Sequence, residues 1–443
     1  MIQRVLRQFS GEGLRAQLLR GGVGSLLMKA SHALATFALA VVLARVLGAG
    51  GYGVYAFALS FIMLLAIPAQ VGLPHLVVRE TAKAQANQNW GVMRGLWRWG
   101  NHYVMLFSLG MAILGLIALW LAGDWLGESR RNTLGVGLAL VPLIALGNIR
   151  GAALRGLRKV ILGQLSEIVL RPTLTLLLVT AVFLVWQYFS PTPVLAMGLH
   201  AVAALMAFLI GAALLIRERP SGLRARPKPE YQSRYWRKAA IPMAILVGLQ
   251  LINAHADILI LGVFREDDEV GVYKVVVQVA TLVVFGLQSV NQVVQPHFAR
   301  LYEEGDMSRL QKLVTSSARV ILLIAIPPTI VMILWGAPLL ELLFGSEYRV
   351  GYLALGILGV GQLINASMGS VGILLNMTGH ERDTLQGVAL AAAVNVVLNI
   401  ILIPNFGMAG SAIATAVSIS IWNILLWRVA RKKLKISSSA LSF

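Results

Sequence analysis

Long apolar runs separated by short polar intervals set the pattern of this chain. A helix needs about 20 apolar residues to cross a bilayer. Runs of that size fall near residues 22–47, 54–76, 101–122, 132–154, 162–186 and 193–216. A basic, proline-rich interval from Arg217 to Lys238 interrupts them. A second set lies near 239–263, 272–295, 314–336, 350–376, 384–403 and 408–428. The pattern predicts an all-α integral membrane protein of about twelve transmembrane helices in two six-helix repeats. It divides the chain into an N-terminal bundle (1–216), a linker (217–238), a C-terminal bundle (239–428) and a basic tail (429–443).

Within the greasy runs, polar residues recur at helical spacing. In the seventh run Gln250, Asn253 and Asp257 lie three and four apart. In the eighth, Lys274, Gln278, Thr281, Gln288, Gln292 and Gln295 keep the same rhythm, broken only by Phe285. Such spacings put residues on one helix face. Each helix therefore carries one wet stripe on an apolar cylinder. The first run has Ser25, Lys29, His32 and Thr36 in the same register, and the tenth has Gln362, Asn365, Gly369, Gly372 and Asn376.

The two halves also share short motifs. Val54-Tyr55 matches Val272-Tyr273, and Pro74-His75 matches Pro296-His297. Arg79 corresponds to Arg300, and Leu154-Arg155-Gly156 to Met377-Thr378-Gly379. All lie about 220 residues apart, an internal duplication of the kind common in secondary transporters.

Charge fixes the topology. The chain of 443 residues is 57% hydrophobic and only 13% charged, with a formal charge of +19. In a soluble protein that surplus would suggest nucleic acid. Here it gathers in alternate loops: Arg4 to Arg20, Arg79 to Arg98, Arg150 to Lys159, Arg217 to Lys238, Arg300 to Lys312, Arg382, and Arg428 to Lys435. The opposite loops hold Arg130, Arg131, Arg265 and Arg349. By the positive-inside rule both termini are cytoplasmic, and no nucleic-acid partner is expected. The segment Val78 to Gly100, with Trp90, Trp97 and Trp99, suits either a helix at the cytoplasmic interface or a Trp-anchored loop.

Ionisable groups inside spans are costly and are the first candidates for function. Lys29 either snorkels to the inner interface or faces the lumen with His32 and meets an anion. Glu167 and Arg171, at i and i+4 before Pro172, either neutralise each other or present Arg171 to a cavity tuned by Glu167. Arg319, Arg45 and Lys274 lie nearer helix ends, where interface anchoring competes with substrate binding. Asp257 has no basic residue at i±3 or i±4. It must be protonated, hydrated or paired across helices, with His255 and Lys274 as candidate partners. It is either a fixed salt bridge or a group that loads and releases a proton. Gln250, Asn253, Gln278, Gln362 and Asn365 suit sugar hydroxyls, and equally interhelical glue. Asn395 and Asn399 read as structural.

No catalytic site is expected. The chain has no Cys, no phosphate loop ending in Lys-Ser/Thr, no His/Asp/Glu cluster at metal spacing, and no long external loop. The run Leu47 to Gly53 follows no strand and reads as a tight turn. No enzyme activity, metal or cofactor is therefore predicted.

Motif order along the chain adds a resemblance. Ala44-Arg45-Val46-Leu47-Gly48, Gly51-Tyr52-Gly53-Val54-Tyr55, Gly72-Leu73 and Val78-Arg79-Glu80 mark the first half. Asp257 to Gly262, Val270 to Tyr273, Asn395-Val396-Val397-Leu398-Asn399, Ile403-Pro404, Gly407, Gly410-Ser411-Ala412 and Ala414-Thr415 mark the second. With these the chain resembles the polysaccharide and O-antigen flippases of the multidrug/oligosaccharidyl-lipid/polysaccharide exporter superfamily. The resemblance implies two six-helix bundles around a V-shaped cavity opening alternately to each side. It implies a polyprenyl-diphosphate-linked oligosaccharide flipped across the bacterial inner membrane for polysaccharide or lipopolysaccharide biosynthesis, driven by a proton or sodium gradient. Membrane lipids and other polysaccharide-assembly membrane proteins would be its partners. Assigned from their own positions and not from the family, Lys29, His32, Arg45, Arg171, Gln250, Asn253, Lys274, Gln278, Arg319, Gln362 and Asn365 are expected to bind substrate, and Asp257, His32 and Glu167 to couple the ion. The rivals are a cation-coupled multidrug exporter of the same superfamily and a membrane glycan polymerase or ligase. Cavity cations argue against the first, and the lack of a large external loop against the second.

Overall fold

The computed structural model describes residues 14–70, 72–185 and 191–440, and every long regular element among them is helical. In chain order these are α1 (Leu14–Gln70), α2 (Leu73–Ala86), α3 (Trp90–Ala122), α4 (Glu128–Gly137), α5 (Leu140–Gly156), α6 (Val160–Gln164), α7 (Arg171–Val185) and α8 (Pro193–Arg217). There follow α9 (Ser221–Arg224), α10 (Ser233–Phe264), α11 (Asp267–Glu303), α12 (Met307–Leu334), α13 (Gly336–Phe344), α14 (Tyr352–Met368), α15 (Val371–Met377) and α16 (Glu381–Lys433). Ten stretches among the described residues are long and apolar enough to cross a bilayer. Two of them are double. α1 breaks at Gly48 (φ 69°) and α16 at Gly407 (φ 52°), left-handed positions that glycine adopts without strain. The fold is thus all-α with twelve passes, six in each half, as the hydrophobic pattern predicts.

Apolar side chains on the outer faces are bare. On α3, Leu106, Ile113, Leu116, Trp120 and Leu121 are all exposed. Water would penalise such a face, whereas lipid tails are as apolar as leucine.

The duplication is written in the backbone. The α2–α3 and α11–α12 turns close with the same four hydrogen bonds. Asn87, Gln88, Asn89 and Trp90 donate to residues four, three, five and two earlier, and so do Glu304, Gly305, Asp306 and Met307. Each following helix is capped alike: Asn89 Oδ1 accepts from Val92 N, and Asp306 Oδ1 from Arg309 N. Gln88 (φ 52°) in the first turn stands where Gly305 (φ 70°) stands in the second. The turns after α5 and α15 match in the same way, with Arg158 (φ 63°) opposite Gly379 (φ 78°).

The segment around Trp90 differs from both readings of the sequence. α2 ends at Ala86 and α3 begins at Trp90, so these tryptophans lie in the first turns of a span. Trp97 is buried and donates to Thr81 Oγ1 at 3.0 Å, and Trp99 packs on the fully buried Trp236 at 5.4 Å between ring centroids. They are core residues because the linker folds back over them. Glu230 N donates to Gly91 O at 3.0 Å, and a Cβ at Gly95 would lie 1.9 Å from Glu230 O.

By packing, the chain forms two compact units. Unit 1 comprises Met1–Val42 and Phe61–Gly248; unit 2 comprises Leu43–Ser60 and Leu249–Phe443. The turn joining the first two spans thus belongs to unit 2. There it meets its own repeat counterpart: a Cβ at Gly53 would lie 1.8 Å from Asp267 O, and one at Gly271 2.0 Å from Ala49 O. Only glycine permits that approach.

Candidate functional site

In unit 1 the polar residues of α1 face the start of α7. A π-helical turn, Leu165–Leu170, precedes α7, and Pro172 follows it closely. Proline has no N–H, so Ile168 O lacks the donor that a helix would supply four residues later. His32 Nδ1 supplies it, at 2.8 Å. A carbonyl only accepts, so Nδ1 carries the proton and Nε2 remains for another partner. Thr36 Oγ1 donates back to His32 O at 2.7 Å. Lys29 lies one turn away, half-buried; the side chain of Ser25 lies outside the described residues.

Glu167 and Arg171 pair at 3.6 Å, largely shielded from solvent. Gly147 on α5 makes room for them, since a Cβ there would sit 2.0 Å from Glu167 Oε1. Among the described residues of this unit, Arg150 Nη1 and Arg155 Nε are buried without a hydrogen-bond partner, and Arg171 Nη1 makes only its long ion pair with Glu167. The Arg150 guanidinium lies 3.6 Å from the Phe208 ring centroid, a cation–π contact that leaves its Nη1 without a hydrogen bond. The buried His200 on α8 lies within electrostatic reach of Arg171. Arg150, Arg155 and His200 escape sequence reading, because the first two pass as loop charges and the third as an isolated polar residue.

In unit 2, Asp257 is buried on α10. Its Oδ1 accepts from Ile258 N at 2.8 Å, and its Oδ2 accepts from the Tyr273 hydroxyl at 3.1 Å. Lys274 is close enough to interact electrostatically. His255 instead meets Ser60 Oγ at 3.4 Å. Behind Tyr273, with Ser411 and Thr415 close to its hydroxyl, runs a buried amide chain. Ser411 Oγ donates to Asn399 Oδ1 at 2.8 Å, Asn399 Nδ2 to Asn395 Oδ1 at 3.1 Å, and Asn395 Nδ2 to Thr415 Oγ1 at 3.3 Å. The asparagines taken as structural from sequence are therefore wired to the carboxylate. Tyr273, recognised there only as a repeat marker, is the link.

Arg45 is engaged elsewhere. Its Nε donates to Leu343 O at 2.8 Å and its Nη2 to Leu342 O, at the C-terminus of α13. Arg265, its counterpart 220 residues on, donates to Ile403 O at 3.2 Å and Pro404 O at 2.9 Å before the break in α16. Both satisfy orphan carbonyls at helix ends.

The polar stripes are partly exposed in the structure. On α11, Thr281, Gln288 and Gln295 are exposed and Gln278 half-buried, while Val279, Val283 and Val294 are packed. On α10, Gln250 is exposed and Asn253 half-buried. On α14, Asn365 Nδ2 donates to Gln362 Oε1 at 3.3 Å within the helix, and its Oδ1 accepts from Asn423 Nδ2 of α16 at 2.9 Å, so Asn365 ties two helices together. At the α14–α15 break Ser370 Oγ bonds Asn291. Arg319 Nε donates to Ala440 O at 3.2 Å. Among the described residues no three His, Asp or Glu side chains gather as metal ligands.

Comparison with known proteins fits this architecture. The family described as polysaccharide biosynthesis protein matches residues 18–302. Two relatives from Haloferax volcanii are named the probable low-salt glycan biosynthesis flippase Agl15, 23% identical over 38% of this chain, and the probable flippase AglR, 29% identical over 40%. The matches span only 36% and 37% of those proteins' own lengths. Among solved structures, an inward-facing MATE-family multidrug resistance transporter of the MOP superfamily superposes with TM-score 0.74 at 16% identity, over 93% of this chain and 98% of that one. The lipid II flippase MurJ in an inward closed conformation gives 0.70 at 12% identity, over 93% and 87%. At such identities the likeness shows a shared fold. The family match covers more than half of the sequence, and with it this chain belongs to the polysaccharide biosynthesis protein family.

Proposed function

We propose that this protein is a membrane transporter that flips a polyprenyl-diphosphate-linked oligosaccharide from the cytoplasmic to the outer leaflet of the cell membrane by alternating access, with both termini cytoplasmic. The observation that carries this reading is the set of unanswered guanidinium nitrogens in unit 1. A buried donor left without a partner costs about 1–3 kcal/mol, and a diphosphate offers several charged acceptors. Arg150 and Arg155 supply such donors, Arg171 would exchange its 3.6 Å ion pair with Glu167 for a phosphate oxygen, and Lys29 supplies a further charge on α1. The amide stripes of α10 and α11 offer hydrogen bonds to sugar hydroxyls. The lipid tail stays in the bilayer.

The names of the relatives support the substrate class, and their archaeal source leaves the membrane as the cell membrane in general. Coupling rests chiefly on unit 2, together with His32 of unit 1. Asp257, with Tyr273 and the amide chain behind it, is a cluster of oxygen acceptors suited to a proton or to sodium. His32 Nε2, left without a proton by the Nδ1–H bond to Ile168 O, is a second position that can take one up.

The test is flipping of a fluorescent polyprenyl-diphosphate oligosaccharide in proteoliposomes, with and without an imposed pH or sodium gradient. Gradient-stimulated flipping, lost in Lys29→Ala at unchanged protein abundance, is the expected result. No flipping by folded protein, together with export of cationic drugs, would replace this reading by multidrug efflux.

A further inference from the structure

The chain does not end its structured course with α16. At Lys435 the backbone takes a left-handed turn (φ 58°) and reverses into unit 2. Leu434 and Ile436 join an apolar cluster with Phe298, Leu310, Val314, Leu374 and Leu426. Beyond that anchor the segment is held by polar contacts. Ser437 N donates to Gln311 Oε1 and Gln311 Nε2 donates to Ser437 O, both at 2.8 Å, and Trp427 Nε1 donates to Ser437 Oγ at 3.2 Å. Ser438 is wholly buried, with its hydroxyl unpartnered. Ala440 N donates to Ser367 O at 2.8 Å, while Ala440 O takes the Arg319 Nε–H at 3.2 Å.

Where this segment sits gives it meaning. Arg319 is twelve residues into α12, about 18 Å from its start at 1.5 Å per residue. Ser367 is in the last turn of α14, where the span breaks at Gly369 (φ 66°) and leaves carbonyls without helical donors. Ser438 O crosses that break so closely that a Cβ at Gly369 would lie 2.9 Å from it. Interrupted spans are where transporters bind their cargo. A peptide carbonyl thus rests on the Nε–H of an exposed arginine twelve residues into its helix, in the place that a phosphate oxygen would take.

We propose that residues 437–440 form a displaceable strap. It fills the polar site at the α14–α15 break and must leave before the Arg319 Nε–H engages an anionic group there. This rests on the transport reading above. The anchor through Leu434 and Ile436 stays in place, and the four-residue polar stretch exchanges its hydrogen bonds for those of the substrate.

The chain contains no cysteine, so engineered thiols report cleanly. In Ala440→Cys, maleimide labelling is expected to be slow beside the exposed Lys435→Cys, and at least threefold faster with a short polyprenyl diphosphate present. Labelling unchanged by the diphosphate would overturn the proposal. In Ser367→Cys/Ala440→Cys, oxidation to the disulfide should lower flipping at least tenfold, with recovery on reduction. Full flipping by the locked protein would also overturn it. A chain stopped after Ile436 keeps the apolar anchor and should flip at the parental rate or faster; folded protein that no longer flips would count against the strap. Absence of flipping in the parent would remove the transport reading, and the labelling result would still decide the strap.

Discussion

Replacing Gly53 by alanine tests the closest backbone approach in unit 2. The added Cβ would lie 1.8 Å from Asp267 O and 2.9 Å from Gly271 N. Ordinary contact begins near 3.4 Å, so the two turns must separate by about 1.6 Å. Both sides are backbone, with no flexible side chain to yield. Overpacking in well-packed interiors costs about 1–3 kcal/mol, and rigid partners place this site at about 3 kcal/mol. At about 2–4 °C per kcal/mol for a domain of 150–250 residues, the melting midpoint should fall on the order of 6–12 °C. Gly271→Ala meets Ala49 O at 2.0 Å and should behave alike. Gly110→Ala and Gly356→Ala are the controls, because nothing lies within 4 Å of either Cβ. In a helix, each should gain about 0.5–1 kcal/mol from alanine's lower backbone entropy. The assay is thermal melting of purified protein in one detergent, followed by the monodisperse fraction remaining. Gly53→Ala melting within a degree of the parent, and no lower than Gly110→Ala, would refute the close approach of the two repeat-related turns.

Other substitutions probe the remaining links. Tyr273→Phe removes the hydroxyl from Asp257; a hydrogen bond to a charged group contributes about 1.5–3 kcal/mol, so gradient-stimulated flipping should drop about tenfold or more while gradient-independent flipping persists. Asp257→Asn should abolish the gradient response altogether, measured in the same proteoliposomes. Arg265→Ala frees the carbonyls of Ile403 and Pro404 and should cost about 1 kcal/mol in melting experiments, with Arg45→Ala similar at α13. Gly305→Ala and Gly379→Ala force alanine into left-handed backbone at about 1–2 kcal/mol each, whereas Gln88→Gly and Arg158→Gly, the same turn positions in the other repeat, should be neutral or stabilising.

The number of spans, their pairing into repeats and the wet stripes were legible in the sequence. Each rests on local periodicity: a lipid-facing helix must be apolar for about 20 residues, and a polar stripe must recur every three or four. The duplication was visible for the same reason, since turns of one geometry select the same short motifs. Pairings between distant segments were not legible. That His32 completes Ile168 follows from Pro172 only once α1 and α7 are known to touch. Likewise nothing local says that Tyr273 holds Asp257, that Asn395 and Asn399 back it, or that Arg45 caps α13. The sequence marks Arg150 and Arg155 as ordinary loop cations, and burial alone makes their orphan nitrogens chemically distinct. The strap on Arg319 has no periodic signature at all. Sequence determined which groups are costly in a membrane, because that cost is a property of the residue and its span. Tertiary structure decided which of those groups are satisfied, because a hydrogen bond across some 120 to 300 residues depends on packing that no local pattern encodes.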